Sequence, residues 1–178
     1  MKKFEEKTIK TTSIYDGKIV KLQIDDVTLP DGNVAKREII KHPGAVAVIA
    51  VTDEGKLVLV EQYRKALERS IIEIPAGKLE PGEEPLVTAR RELEEETGYG
   101  AQSFTFLQAF ATSPGFADEI IHLFVAKDLY KIENKADLDE DEFVELLEVS
   151  LEEAHQMVAD ERIYDAKTAF AVLWLAAQ

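Results

Sequence analysis

The sequence predicts an α+β fold in which sheets are sandwiched between helices, with an antiparallel hairpin or sheet at the N-terminus. Three observations lead there. Short apolar stretches of strand length fill most of the chain. A single acidic helix, opened by Pro85 and closed by Gly98, interrupts them. A pair of capped helices ends the chain. Strands and helices that do not alternate one for one belong to layered α+β folds rather than to doubly wound ones.

Val20, Leu22 and Ile24 alternate, and Val27 and Leu29 alternate in the opposite phase. The slip at Asp25-Asp26 predicts a β-bulge or a break. Asp31-Gly32 marks a hairpin turn into a strand from Val34 to Lys41. Residues 1–42 thus form a small antiparallel unit with few large apolar side chains for its length. It needs another surface to cover it, from its own chain or from a partner subunit.

Ala45 to Val51 is almost continuously apolar, the pattern of a buried strand. Asp53-Glu54-Gly55 turns the chain into a strand from Leu57 to Tyr63. Ile71 to Ile74 is a third short piece, and Pro75-Ala76-Gly77 breaks the pattern. Pro85 suits the first turn of a helix and Gly98 its C-terminal cap. Leu86, Ala89 and Leu93 recur at helical spacing and are expected in the core, with the carboxylates on a different side. Phe104 to Phe110 and Ile120 to Ala126 read as strands, joined by a loop that holds Ser113-Pro114-Gly115-Phe116. The acidic run Asp137 to Glu142 precedes a strand from about Phe143 to Val149. Ser150-Leu151-Glu152-Glu153 has the capping-box form. Asp165 caps a last helix that runs through Leu175.

Composition excludes several functions. The 178 residues carry a net charge of −14, which argues against a broad basic face for nucleic acid and against docking on an anionic membrane. Cysteine is absent, so disulfides, thiol catalysis and cysteine zinc sites are excluded. The N-terminus lacks the apolar segment of a signal peptide, and Ala169 to Ala177 is too short to span a bilayer. The expected location is the cytoplasm. The three histidines, His42, His122 and His155, are scattered and read as structural. A phosphate-binding loop of the GxxxxGK[ST] form is missing.

Glu92, Glu95 and Glu96 stand at i, i+3 and i+4, so a helix puts them on one face. Glu83 precedes that helix and can fold back toward the same point. Bare carboxylates so crowded raise each other's pKa. A hard divalent cation removes that penalty, and oxygen ligands suit magnesium or manganese. A solvated acidic helix would explain neither Gly77 nor the Arg91-Glu92 pair.

Gly77, Glu83, Arg91, Glu92, Leu93, Glu95, Glu96 and Gly98 resemble the Nudix box in identity and spacing. Tyr99 departs from the pattern, which prefers an aliphatic residue there. The resemblance implies the Nudix α/β/α sandwich over residues 43–178, beside the N-terminal unit of residues 1–42. It implies two or three magnesium ions per site, with manganese as the substitute. Glu92, Glu96 and the backbone carbonyl of Ala76 would bind them, with Glu95 in support. Arg91 would pair with a box glutamate, mapped here to Glu83.

Three further features resemble the ADP-ribose pyrophosphatases of that family. Pro114 follows the box in Ser113-Pro114-Gly115-Phe116-Ala117-Asp118-Glu119, where Pro114 and Gly115 would fix a loop at the mouth of the site. Arg64, in Glu61-Gln62-Tyr63-Arg64, would hold the diphosphate bidentately. Asp139-Glu140-Asp141-Glu142 would supply the catalytic base, assigned to Glu140, and a metal contact, assigned to Glu142; the two roles are interchangeable by position. Gly77 and Glu119 complete the substrate-binding set. Those enzymes resemble homodimers that exchange an N-terminal sheet, which makes Arg37 and Glu38 candidate contacts from the partner and Tyr15 a candidate near the adenine. Interface packing explains these three residues equally well. The implied reaction is magnesium-dependent hydrolysis of ADP-ribose to AMP and ribose 5-phosphate. Other nucleotide sugars or dinucleotides are the alternative substrates, and a non-catalytic module sensing an ADP-ribose or NAD-like ligand is the alternative class.

Overall fold

The computed structural model describes residues 3–133 and 143–178. The chain divides into two compact units, Met1–Gly44 with Phe110–Ile120, and Ala45–Ala109 with Ile121–Gln178.

The first unit holds an antiparallel sheet of β1 (Lys7–Asp16), β2 (Lys21–Thr28) and β3 (Val34–Lys41), in that order. Asp31-Gly32 turns β2 into β3: Gly32 has a φ of 89°, and the Asp31 side chain accepts from Asn33 N at 3.0 Å. The expected slip at Asp25-Asp26 is not a bulge, because β2 and β3 stay in register from Lys21–Lys41 to Thr28–Val34. The apolar pattern changes phase for another reason. Asp25 shares a strand face with Val27, and both are buried. Gln23 Nε2 donates to Asp25 at 3.0 Å and Thr8 Oγ1 at 3.4 Å, so a bonded carboxylate fills an inward position. The irregularities lie opposite, in β1, where the register skips at Ile9 and Ile14. Every residue of β1 is exposed.

The second unit contains two sheets. One has the order β7-β4-β9-β8, from β4 (Ala45–Ala50), β7 (Ala76–Lys78), β8 (Tyr99–Ala111) and β9 (Ile120–Lys131). It is mixed: β4 runs parallel to β9 and antiparallel to β7. The other has the order β10-β5-β6, from β5 (Leu57–Arg64), β6 (Arg69–Glu73) and β10 (Val144–Val149), all antiparallel. All of β4 is buried, as its unbroken apolar run requires. The break at Pro75-Ala76-Gly77 is the point where the chain leaves one sheet and joins the other as β7. Val48 N donates to Pro75 O at 2.9 Å there.

Helix α1 (Pro85–Thr97) starts with Pro85 at its first position and ends on Gly98 at φ 72°. Ala89 and Leu93 pack into a core with Val46, Val48, Val58 and Phe124. Two expectations for this helix fail. Leu86 is exposed although it lies on the same side of the helix as Leu93 and Thr97, because it belongs to the first turn and burial begins only at Thr88. Glu92 and Glu96 do not lie away from the core but inside the buried stripe, at 6% and 2% exposure. Helices α2 (Leu151–Ala159) and α3 (Ala166–Ala176) pack on each other. The Ser150–Glu153 capping box forms, and Asp165 caps α3 by accepting from Lys167 N and Thr168 N. Among the described residues no helix is long and apolar enough to cross a membrane.

Candidate active site

Helix α1 lies against β4 and β7, and that contact builds the centre of the site. Register pairs Gly77 with Val46 and Ala76 with Ala47. The short strand therefore runs beneath the buried carboxylates. The Glu92 carboxylate covers Gly77 so closely that a methyl group on that glycine would overlap it. Ala76 N donates to Glu96 Oε2 at 3.0 Å. Two buried carboxylates, one helical turn apart, thus meet two consecutive backbone units of β7.

Arg91 ties the remaining carboxylates together. Its Nη1 donates to Glu92 Oε1 at 2.8 Å and to Glu95 Oε2 at 2.9 Å, and its Nη2 stands 3.3 Å from Glu83 Oε2. The expected Arg91–Glu83 pair is present, as one contact of three. Partial burial works against the Arg91 charge, but the hydrogen bond to Glu83 and the charges of Glu92 and Glu95 hold its pKa well above the usual guanidinium range. Thr88 Oγ1 donates to Glu83 at 2.8 Å. That bond and Arg91 hold the Glu83 carboxyl below the ordinary value.

Arg64 ends β5, and its Nε lies 2.5 Å from Glu73 Oε2 on β6. Burial lowers the Arg64 pKa, while the Glu73 hydrogen bond and charge, with smaller contributions from Glu96 and Asp165, raise it overall. Arg64 is therefore within electrostatic range of the box helix. Lys167 Nζ meets the other Glu73 oxygen at 2.5 Å and Asp165 Oδ2 at 2.9 Å. Sequence reasoning missed Glu73 and Lys167. One signal was present: Glu73 is the single charged residue in Ile71-Ile72-Glu73-Ile74, a run otherwise apolar.

The other expected site residues with described positions lie in the first unit. Arg37 is held by Glu6, Nε to Oε2 at 2.9 Å and Nη2 to Oε1 at 2.6 Å. Glu38 pairs with Ile24 across β2 and β3 and is exposed. The Tyr15 ring is exposed and lies against Gly17. Pro114 is exposed in a turn closed by Phe116 N and Ala117 N donating to Ser113 O, at 3.1 and 2.9 Å. The turn is tied to β3 by Ile40 N donating to Phe116 O at 2.7 Å. Glu119 accepts from Thr112 Oγ1 and lies 3.5 Å from His42 Nδ1. Glu140 and Glu142 lie outside the described residues.

Tyr99, the departure from the box pattern, has a physical account. Its ring is buried in the core, and its hydroxyl donates to Glu148 on β10 at 2.5 Å. An aromatic residue replaces an aliphatic one here because a partner exists for the oxygen.

Among the described residues no group of three or more histidine, aspartate or glutamate side chains is arranged to hold a metal ion. The carboxylate oxygens of Glu92 and Glu96, side by side over β7, are nevertheless of the donor type that fits a hard divalent cation.

The NUDIX domain model matches residues 41–169, and the model of the nucleoside diphosphate sugar hydrolase N-terminal domain matches residues 6–40. The chain is 66% identical over 177 residues to the methanol dehydrogenase activator of Bacillus methanolicus, covering 99% of this chain and 96% of that protein. It is 61% identical over 175 residues to the ADP-ribose pyrophosphatase of Bacillus subtilis (strain 168), covering 98% and 95%. A crystal structure of an ADP compounds hydrolase superposes with a TM-score of 0.84 over 97% of this chain and 93% of that one; at 22% identity it speaks to the fold. With a domain match across most of its length and a site built on the eight residues of the box, the chain belongs to the NUDIX family.

Proposed function

We propose that this protein hydrolyses the diphosphate of ADP-ribose, giving AMP and ribose 5-phosphate. The observation that carries the chemistry is the junction of α1 with β7, where Glu92 lies over Gly77 and Glu96 accepts from Ala76 N. The choice of substrate is supported by 61% identity, over 98% of the chain, to an ADP-ribose pyrophosphatase.

Glu92, Glu96 and the carbonyl of Ala76 would hold magnesium, or manganese in its place, with Glu142 as a further contact and two or three ions per site. An ion held there would polarise the diphosphate and make a water more acidic. Arg91 keeps Glu92 and Glu95 oriented through the bonds described above. Arg64 binds the diphosphate oxygens. Glu140 accepts the proton of the attacking water. Gly77 lets the substrate-facing backbone and Glu92 approach each other. Pro114 and Glu119 shape a substrate loop.

We assign residues 1–42 to a dimer-forming unit and residues 43–178 to the hydrolase domain. Ile9, Ile14, Tyr15, Ile19 and Val34 are all exposed in the first unit, more apolar surface than so small a sheet leaves open by itself. A homodimer that exchanges this sheet would cover them and bring Arg37, Glu38 and Tyr15 to the partner's site. The working location is the cytoplasm.

Product analysis tests the reaction. ADP-ribose incubated with the protein and magnesium should yield AMP and ribose 5-phosphate. Intact ADP-ribose beside rapid cleavage of another nucleotide sugar would move the substrate assignment to that compound.

A second reading rests on the 66% identity to a methanol dehydrogenase activator: the chain stimulates a dehydrogenase. Adding the protein to a methanol dehydrogenase assay tests it. Stimulation supports the reading, and an unchanged rate removes it.

A further inference from the structure

We infer that Glu73, held in place by Lys167, is a positioning residue that orients Arg64 toward the diphosphate. The inference rests on the reading of Arg64 as the diphosphate-binding residue.

The arrangement begins in the sheet. Register pairs Val60 with Glu73 and Arg64 with Arg69, so Arg64 and Glu73 share one face of the β5–β6 pair. Arg64 reaches back along that face and meets Glu73 through Nε. Using Nε fixes the plane of the guanidinium, and with it the direction of the other N–H donors. Without such a tie, a long side chain that is 40% exposed would samples many rotamers before it met a ligand.

Glu73 is itself held. Its residue is 3% exposed, and its second oxygen meets Lys167, which is 8% exposed. Lys167 also meets Asp165, the cap of α3. The next residue, Thr168, accepts from Ile74 N at 3.0 Å. The first turn of α3 thus grips Glu73 and Ile74, two consecutive residues just before the Ala76-Gly77 backbone of the site.

A buried ion pair of this kind is weak evidence for stability, because desolvation offsets most of the attraction. Apolar residues would serve the core equally well, and Ile71, Ile72 and Ile74 show that the strand accepts them. A charge in this run has a clear use if it aims another charge.

The test is a double-mutant cycle read in kinetics. Four proteins are compared on ADP-ribose with magnesium: wild type, the paired variant Glu73→Leu with Lys167→Met, Arg64→Ala, and all three substitutions together. The paired variant removes both buried charges, so its fold should survive, as a preserved thermal unfolding transition would show. Its kcat/KM should fall by about tenfold or more, mostly through KM. The triple variant should be no worse than Arg64→Ala, since Glu73 then has nothing left to aim. Multiplying losses, or a paired variant with wild-type KM, would overturn the inference. If the paired variant does not fold, Glu73→Gln replaces it in the same cycle with the same two outcomes. A wild-type protein that leaves ADP-ribose intact removes the function and this inference together. Wild-type turnover with an indifferent Glu73 removes this inference alone.

Discussion

The Glu92 carboxylate lies directly over the backbone of Gly77, in the space that any side chain at that position would need. Gly77 is not among the glycines with positive φ, so the requirement is for room and not for an unusual backbone. The atoms in the way belong to the far end of a flexible side chain. Gly77→Ala should therefore leave the fold standing and push Glu92 aside. We expect kcat/KM on ADP-ribose to fall about a hundredfold, within the range for displaced metal-site partners, with little change in the thermal unfolding midpoint. Wild-type turnover in that variant would mean that the position of Glu92 does not matter.

Arg91 bridges Glu83, Glu92 and Glu95 at once. A lysine keeps the charge but cannot span three carboxylates from one planar fork. Arg91→Lys should lower kcat/KM by about tenfold or more and raise the magnesium concentration needed for half-maximal rate. Equal activity would show that charge alone suffices.

The box helix was legible because its signals are local. Pro85, Gly98 and the spacing of Glu92, Glu95 and Glu96 all lie within one element, and each chemical role follows from its neighbours. β4 was legible for a similar reason, as six consecutive buried apolar residues. The strand β1 escaped notice because none of its residues is buried, so no apolar alternation marks it. Its signal is β-branched content, in Thr8, Ile9, Thr11, Thr12 and Ile14. Glu73 and Lys167 are 94 positions apart, and nothing in the sequence near one points to the other. Leu86 misled because its spacing to Ala89 and Leu93 is helical and it does share their side of α1, but it stands in the first turn, before burial begins at Thr88. Carboxylates in a buried stripe run against the usual rule that the polar face is the wet one, which is why their side of the helix was misjudged.

Tyr99 offers a check on its link to Glu148. Burial comes first and the hydrogen bond to Glu148 second in pushing the phenol up to about 12 from an ordinary 10.0. A raised folded-state pKa means that this group's stabilisation is complete below the unfolded value and is lost as pH climbs through the folded one. The window is therefore about pH 10 to 12. Ultraviolet titration of tyrosinate should show one late phenol that Tyr99→Phe removes. Titration of all five tyrosines near the ordinary value would contradict the buried hydrogen bond.

The exposed apolar residues of the N-terminal unit predict an assembly. Light scattering should give twice the 19.9 kDa of the chain. Ile14→Glu, which puts a charge on that surface, should shift the mass toward a single chain. A monomeric wild-type protein would remove the exchanged-sheet proposal and leave Tyr15, Arg37 and Glu38 without a role at the site.

The central claim is that the carboxylates above β7 carry the reaction, and Glu96 tests it most directly. Turnover of ADP-ribose would be measured across a magnesium series for the wild type and for Glu96→Gln, with thermal unfolding of both. The account predicts magnesium-dependent turnover in the wild type. It predicts a loss of about three orders of magnitude in the variant, or roughly 4 kcal/mol in the barrier, with the fold retained. A folded Glu96→Gln variant with unchanged turnover would contradict it.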